Sequence, residues 1–330
     1  MSLQTSWEPT FSSMLPMILQ QLQRPLTESP ALTLNQWWDS YRKQAKGWEI
    51  PVDRAVLGGL LADRVAYAFA GGYHNALRYL VPSLPHEKIV AFCITEEGGG
   101  HPKAIQTRLL PLSPENAISD SLGAHWILSG RKKFITMAKE AELLLIAASA
   151  GKSSEGLNQI RLVSVGKTAL GVQIEPLQGL PFVPEISHGT LILDSVSLSS
   201  SQILPGDGYT AYIKPFRTIE DIHVGAGILG YLLRLAFAYA WPQAIREELL
   251  NRFLNLRAIA LSDVSSPGLH LILGGYLNEQ QQLFQKISAY WEKVPPETVQ
   301  RWNRDISLFQ VAATARDKRL ERAWETVGAR

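Results

Sequence analysis

The stretch Trp126-Ile127-Leu128-Ser129-Gly130-Arg131-Lys132-Lys133-Phe134-Ile135-Thr136 decides the fold. It is rich in aromatic and β-branched residues, reads as a strand, and ends on a threonine at its exposed end. About thirty residues upstream, Ile89-Val90-Ala91-Phe92-Cys93-Ile94-Thr95 reads the same way and runs into the turn Glu96-Glu97-Gly98-Gly99-Gly100-His101. Glycines there allow the backbone to approach a ligand closely. A threonine hydroxyl at a strand end can donate to a ring nitrogen or carbonyl of a planar cofactor, and a ring such as Phe134 can stack on it. The plainer alternative is two solvated strand ends, a structural turn and a core phenylalanine.

Working outward, three zones emerge. Residues from about 11 to 86 carry apolar positions at helical spacing, with Leu32-Thr33-Leu34-Asn35 and then Gln36-Trp37-Trp38 reading as a capped helix start and with Gly71-Gly72 interrupting the later run. Pro82 and Pro85 close that zone. Residues from about 88 to 205 alternate short apolar runs with turns such as Ser113-Pro114-Glu115-Asn116, and no long helix intervenes. A parallel βαβ sheet is therefore not expected, and a small antiparallel barrel or sandwich is. Residues from about 207 to 330 read as helices again, over Ala211–Ala240, Pro242–Leu261, Leu277–Lys293 and Pro296–Val327. The expected class is α+β multidomain, divided at 1–87, 88–206 and 207–330.

At 330 residues and 46% hydrophobic content the chain can bury a large core. A formal net charge of +2, with no lysine or arginine cluster, argues against nucleic acid as a partner. The single cysteine, Cys93, excludes an internal disulfide and a multi-cysteine metal site, so no metal is expected. The N-terminus has no basic leader, and the apolar piece from Met14 to Leu19 is too short for a signal sequence; the expectation is cytoplasmic. The run Val224–Trp241 approaches a membrane span in length. Arg234 in its middle would cost roughly 2.5–3.5 kcal/mol in a bilayer, so a buried bundle helix with small residues is expected instead. The glycines at 98–100 do not make a dinucleotide fingerprint. Pro102 follows at once, Lys103 stands where the last glycine would be, and Thr107–Leu112 looks extended.

Taken together, these residues resemble the acyl-CoA dehydrogenase family of flavoproteins. The family's middle-domain signature runs roughly Thr-Glu-Pro-Gly-Ala-Gly-Ser-Asp, where this chain has Thr95-Glu96-Glu97-Gly98-Gly99-Gly100-His101-Pro102. Its second signature, Trp-x-Leu-x-Gly-x-Lys-x-Trp/Phe-Ile-Thr-Asn with an alanine beyond, is similar to Trp126–Thr136 followed by Ala141. Gly189–Leu198 looks like the late barrel strand, and Ile203-Leu204-Pro205-Gly206-Asp207-Gly208 resembles the link into the last helices. The resemblance spans about residues 50 to 330, and helix–β–helix is the family's order.

The resemblance implies FAD as cofactor. Phe92, Cys93, Thr95, Gly100, Phe134, Ile135 and Thr136 would line the isoalloxazine, with Thr95 toward the pyrimidine side and Thr136 toward N5. His101 would contact the pantetheine or phosphate region of an acyl-CoA or other acyl thioester. The implied reaction is α,β-dehydrogenation within fatty acid metabolism, with electron-transfer flavoprotein as a possible acceptor and a homodimer or homotetramer as the assembly. The commoner position of the catalytic glutamate lies in a segment that would start about where this sequence ends. The other position falls on Glu220, ahead of Gly225-Ala226-Gly227. There the alternative is an ordinary first-turn residue favoured by the helix dipole. Three departures stand out. Asp221 occupies a position where an arginine often follows the base. The Arg-x-x-Phe-Gly motif and downstream glutamine that grip the FAD pyrophosphate are not found, and Ser262–Leu271 reads as a loop in their place. These departures frame the alternative function, a catalytically inactive member of the fold with a binding or scaffold role.

Overall fold

The computed structural model describes residues 10–24, 32–112, 125–177 and 180–328. The expected turn at Ser113–Asn116 lies outside the described residues. The described residues begin with four helices: α1 (Thr10–Leu22), α2 (Leu34–Gln44), α3 (Pro51–Leu60) and α4 (Val65–Leu80). Thr33 caps α2 as its sequence indicates. Its hydroxyl accepts the Gln36 N–H at 3.3 Å, and the Gln36 side chain accepts the Thr33 N–H at 2.9 Å. The break in the following run falls between Leu60 and Val65 rather than at Gly71-Gly72, which continue inside α4.

Seven strands follow among the described residues: β1 (Val90–Cys93), β2 (Arg108–Pro111), β3 (His125–Thr136), β4 (Leu143–Lys152), β5 (Asn158–Gly166), β6 (Val172–Leu177) and β7 (His188–Ser199). They form one sheet in the order β1-β4-β2-β3-β7-β6, with β5 paired to β4. The sheet is mixed, which corrects the expectation of a wholly antiparallel one. β1 pairs parallel to β4 over Val90–Cys93, and β2 meets β4 in parallel at Arg108 and Ser149. β1 and β2 thus follow one another along the same edge of β4, whose other edge carries β5. The long excursion through β2 and β3 supplies the crossover a parallel pair requires. Helix α4 satisfies the outer edge of β1. The Val90 N–H donates to His74 Nε2 at 3.2 Å, and the Phe92 N–H donates to the Tyr73 hydroxyl at 3.0 Å. His74 Nδ1 faces the Ala70 carbonyl at 3.1 Å. Burial pulls the imidazole down to about 3, which keeps it neutral with Nε2 as the acceptor.

The remaining helices are α5 (Lys214–Ala238), α6 (Gln243–Ala260), α7 (Pro267–Lys286), α8 (Pro296–Asp305) and α9 (Ala313–Thr326). Helix α7 starts at Pro267, so the stretch read as a loop over Ser262–Leu271 is already helical in its second half. The expected single run Pro296–Val327 is two helices. At the end of α8 the fully buried Asp305 turns out of the helix pattern to accept the Val183 N–H at 2.8 Å.

Helix α5 is the axis of the helical body. The span Tyr209–Ala238 is apolar and long enough to cross a membrane by composition, and 78% of its most apolar window is buried inside the protein. Arg234 lies in that run with its guanidinium donating to the carbonyls of Gln21 and Arg24 at 3.2 and 2.5 Å. The small residues permit unusually close packing. A Cβ added to Gly59 of α3 would lie 1.8 Å from the Gly227 carbonyl oxygen. One added to Gly72 of α4 would lie 2.5 Å from the Val224 Cα, and one added to Gly230 would lie 2.2 Å from the Val56 carbonyl oxygen. Each of these neighbours is backbone and cannot rotate away. The Gly59→Ala protein is expected to lose about 3 kcal/mol of unfolding free energy through overpacking, read from denaturant midpoints at unchanged slope. A midpoint equal to that of the parent protein would contradict this packing.

Candidate active site

The site grows from the end of β3. Pairing between β3 and β7 slips between Lys132 and Ile135, where β3 spends one more residue than its partner. That bulge holds Phe134 in the left-handed region, at φ +56. A bulge re-aims a side chain, and here the ring is thrown outward to 54% exposure while Ile135 turns into the core. An L-residue with a bulky ring is seldom found in this conformation, so Phe134 is held there by its surroundings.

Those surroundings are the turn after β1. The Lys133 N–H donates to the Thr95 carbonyl at 2.7 Å, and Lys132 Nζ donates to the Ile94 carbonyl at 3.2 Å. Lys132 then ends on Glu96 Oε1 at 2.7 Å, fully buried. The same carboxylate accepts the Thr107 N–H at 3.0 Å, the Thr107 hydroxyl at 2.8 Å and the Gln106 N–H at 2.8 Å. Burial opposes both charges and lowers the Lys132 ammonium. The Glu96 carboxyl is nevertheless held below its usual range, because burial is outweighed by Lys132 and the two backbone donors. The two segments quoted from the sequence are therefore neighbours, joined by main-chain hydrogen bonding and a buried ion pair. The glycine turn between them closes on itself through paired Glu96–Gly99 backbone hydrogen bonds.

Phe134 and Thr136 open on a cavity of about 390 Å³, whose other walls come from α5, α7, α9 and the start of β7. Glu220, in the second turn of α5, lines it too. This helix is preceded by a wider turn over Tyr209–Ile213, so Glu220 lies beyond the first turn, where the dipole acts. Its carboxyl makes no hydrogen bond or ion pair among the described residues. Burial, then the charge of Asp221, push it up to about 7, against the opposing pull of Arg316 and Arg217. One turn earlier, Phe216 meets Phe92 edge-on at 4.6 Å, and this contact seats α5 on β1.

The structure therefore brings Glu220, Phe134 and Thr136 to one space. The side chains of Phe92, Cys93 and Ile135 are buried in the core and do not line it. Thr95, Gly100 and His101 lie along the turn, outside the lining. His101 accepts the Lys103 N–H at 3.2 Å, and its ring lies 6.3 Å from that of Tyr209. Sequence reasoning did not find His188, which pairs with Thr136 across β3 and β7, or His270, Arg316 and Arg319 on the far wall. Nothing local marks them, because they reach the cavity from elements remote along the chain.

No family model matches the chain. The chain is similar to the mitochondrial short/branched chain specific acyl-CoA dehydrogenase of Rattus norvegicus, 28% identical over 172 residues, which cover 51% of this chain and 37% of that protein. Its fold is similar to the solved structure of butyryl-CoA dehydrogenase from Megasphaera elsdenii, with a TM-score of 0.66 and 14% identity over 96% of this chain and 98% of that one. A structure described as an FAD-dependent dehydrogenase gives a TM-score of 0.67 and 14% identity, with the same shares. At that identity the likeness to solved structures establishes the fold.

The Glu96–Lys132 pair yields a test of the site's frame. Lys132→Met leaves a buried carboxylate uncompensated and is expected to cost about 3 kcal/mol or more. Adding Glu96→Gln to it is expected to recover part of that loss. Equilibrium unfolding of the two single variants and the double variant at pH 7 measures the coupling.

Proposed function

We propose that this chain is a divergent member of the acyl-CoA dehydrogenase family and that it is a flavin-dependent dehydrogenase acting on an acyl thioester. The observation that carries the reading is the shared cavity: an outward-thrown phenylalanine ring and a strand-end hydroxyl on β3, with an unpaired carboxyl on α5 opening on the same space. A half-exposed ring held on a bulge beside a threonine fits a planar ring system, which would cover the one and accept from the other. Phe134 and Thr136 would hold the isoalloxazine of FAD on this reading. When bound, FAD supplies the hydride acceptor for the β-carbon.

The chain's own residues supply the rest. Glu220 would take the proton from the carbon α to the thioester carbonyl. A general base works best when its pKa lies near the operating pH, and the surroundings of Glu220 raise it into that range. Aromatic and aliphatic side chains, including Phe69, Phe284 and Leu277, line the same cavity, and apolar surroundings of this kind favour a raised carboxyl. Butyryl-CoA serves as a first probe of the substrate class.

Three measurements test the reading. Purified protein reconstituted with FAD is expected to be yellow and to bleach with an acyl-CoA, and Glu220→Gln to bleach at least 100-fold more slowly. A colourless protein whose melting temperature does not move with excess FAD would overturn it, because a ligand of the folded state raises apparent stability. Phe134→Gly is expected to relieve the left-handed backbone, leaving the melting temperature unchanged or raised, while weakening FAD retention. The third follows from the raised carboxyl of Glu220. In the folded protein it holds its proton up to about pH 7, against an ordinary value of 4.5. Its contribution to stability is therefore fully present below about pH 4.5 and is lost as pH rises through about 7. The melting temperature of Glu220→Gln, minus that of the parent, should climb across that window and level off above it.

A further inference from the structure

Asp221, next to Glu220 in the chain, is 8% exposed and is held by two arginines of α9. Arg316 donates to its Oδ1 through Nε at 2.9 Å and Nη2 at 2.8 Å, and Arg319 donates to its Oδ2 through Nη2 at 2.8 Å. Each arginine makes one further contact. Arg316 Nη1 reaches the Phe309 carbonyl at 2.5 Å, and Arg319 Nη1 reaches the Thr218 hydroxyl at 3.2 Å. All three guanidinium nitrogens of Arg316 thus contact protein acceptors. A tether between α5 and α9 needs only one ion pair. Two guanidiniums on a single carboxylate leave positive charge in excess beside Glu220.

We infer that Arg316 and Arg319 are positioning residues for Glu220 that act through Asp221: they confine the neighbouring carboxylate in a buried clamp, so that Glu220 is left as the unpaired carboxyl on the α5 wall of the cavity and can ionise beside it. This inference rests on the reading of Glu220 as the base. Two carboxylates at one site cannot both ionise readily when neither is compensated, and an excess of nearby positive charge favours the ionised form. The other charged or titratable groups around Glu220 are Arg217 on α5, Tyr73 on α4, Asp317 on α9, His270 on α7 and His188 on β7. Of all these, only Asp221 directly adjoins Glu220 in the chain, and only the clamp engages it.

The experiment follows the pH at which Glu220 loses its proton, by two routes. One is the acid limb of kcat/KM with butyryl-CoA in the FAD-loaded protein. The other needs neither cofactor nor turnover: the midpoint, against pH, of the melting-temperature difference between each protein and its Glu220→Gln counterpart. Removing the clamp with R316M/R319M is expected to move both midpoints up by about one pH unit or more. D221N alone, which leaves the arginines in place, is expected to move them down. Combining all three substitutions should return them toward the parent value. A purely structural role would lower the melting temperature at every pH and leave the midpoints where they are. Unmoved midpoints in both D221N and R316M/R319M would overturn the inference. Should the arginine pair prove necessary for folding, D221N carries the test by itself. If Glu220→Gln turns over at the parent rate, the base assignment fails, while the cofactor-free titration still reports on the clamp.

Discussion

The rest of the structure depends on how deeply α5 lies against α3 and α4. Glycines on all three helices let backbone touch backbone, and a methyl group at Gly59 or Gly227 would sit within 2.3 Å of a carbonyl oxygen on the facing helix. Helices that meet through larger side chains stand about 8–10 Å apart. Closer contact here sets the depth of α5, and so the height at which Phe216 meets Phe92 and Glu220 meets the cavity. A shift of α5 by one methyl group would move the carboxyl away from the end of β3.

Two buried charge clusters then define the two walls. On the sheet side, Glu96 and Lys132 tie the turn after β1 to the bulge that presents Phe134. On the helical side, Arg316 and Arg319 tie α9 to Asp221. Buried ion pairs add little net stability compared with apolar packing of the same volume, because each charge is first taken out of water. Their strength lies in direction. A carboxylate with four donors, or one gripped by two guanidiniums, tolerates few arrangements, and both clusters are spent on holding the flanks of one cavity.

Most of the element types were legible in the chain. The Thr33 cap, the short apolar runs from Ile89 to Val196 and the long apolar helix with its small residues all appear as local patterns, and the structure contains each of them. The pairing of Thr95 with the Phe134 segment was legible only as a resemblance between motifs. Its cause is the Glu96–Lys132 contact, across 36 residues. The parallel placement of β1 and β2 along one edge of β4 was not legible, since alternation marks a strand without naming its partner. Strand β6 escaped for another reason: Val172–Leu177 is short, carries Gln173 and Glu175, and contains Pro176, which argues against a strand except at an edge, where it lies.

By itself, then, the sequence determined the order of helices, strands and helices, the burial of α5, and the two threonine-ended segments as one motif. The first two follow from periodicity, composition and turn chemistry, which act over a few neighbouring residues; the third was read from the resemblance between motifs. Only the tertiary structure decided that Phe134 would face outward while Phe92, Cys93 and Ile135 went into the core, that Glu220 would share a cavity with Phe134 and Thr136, and that Asp221 would be gripped by arginines 95 and 98 residues away. Each of those outcomes turns on register and on distances between remote segments. A bulge of one residue reverses which side chain meets a ligand, and an adjacent carboxylate changes a base or is silenced according to which helix packs over it.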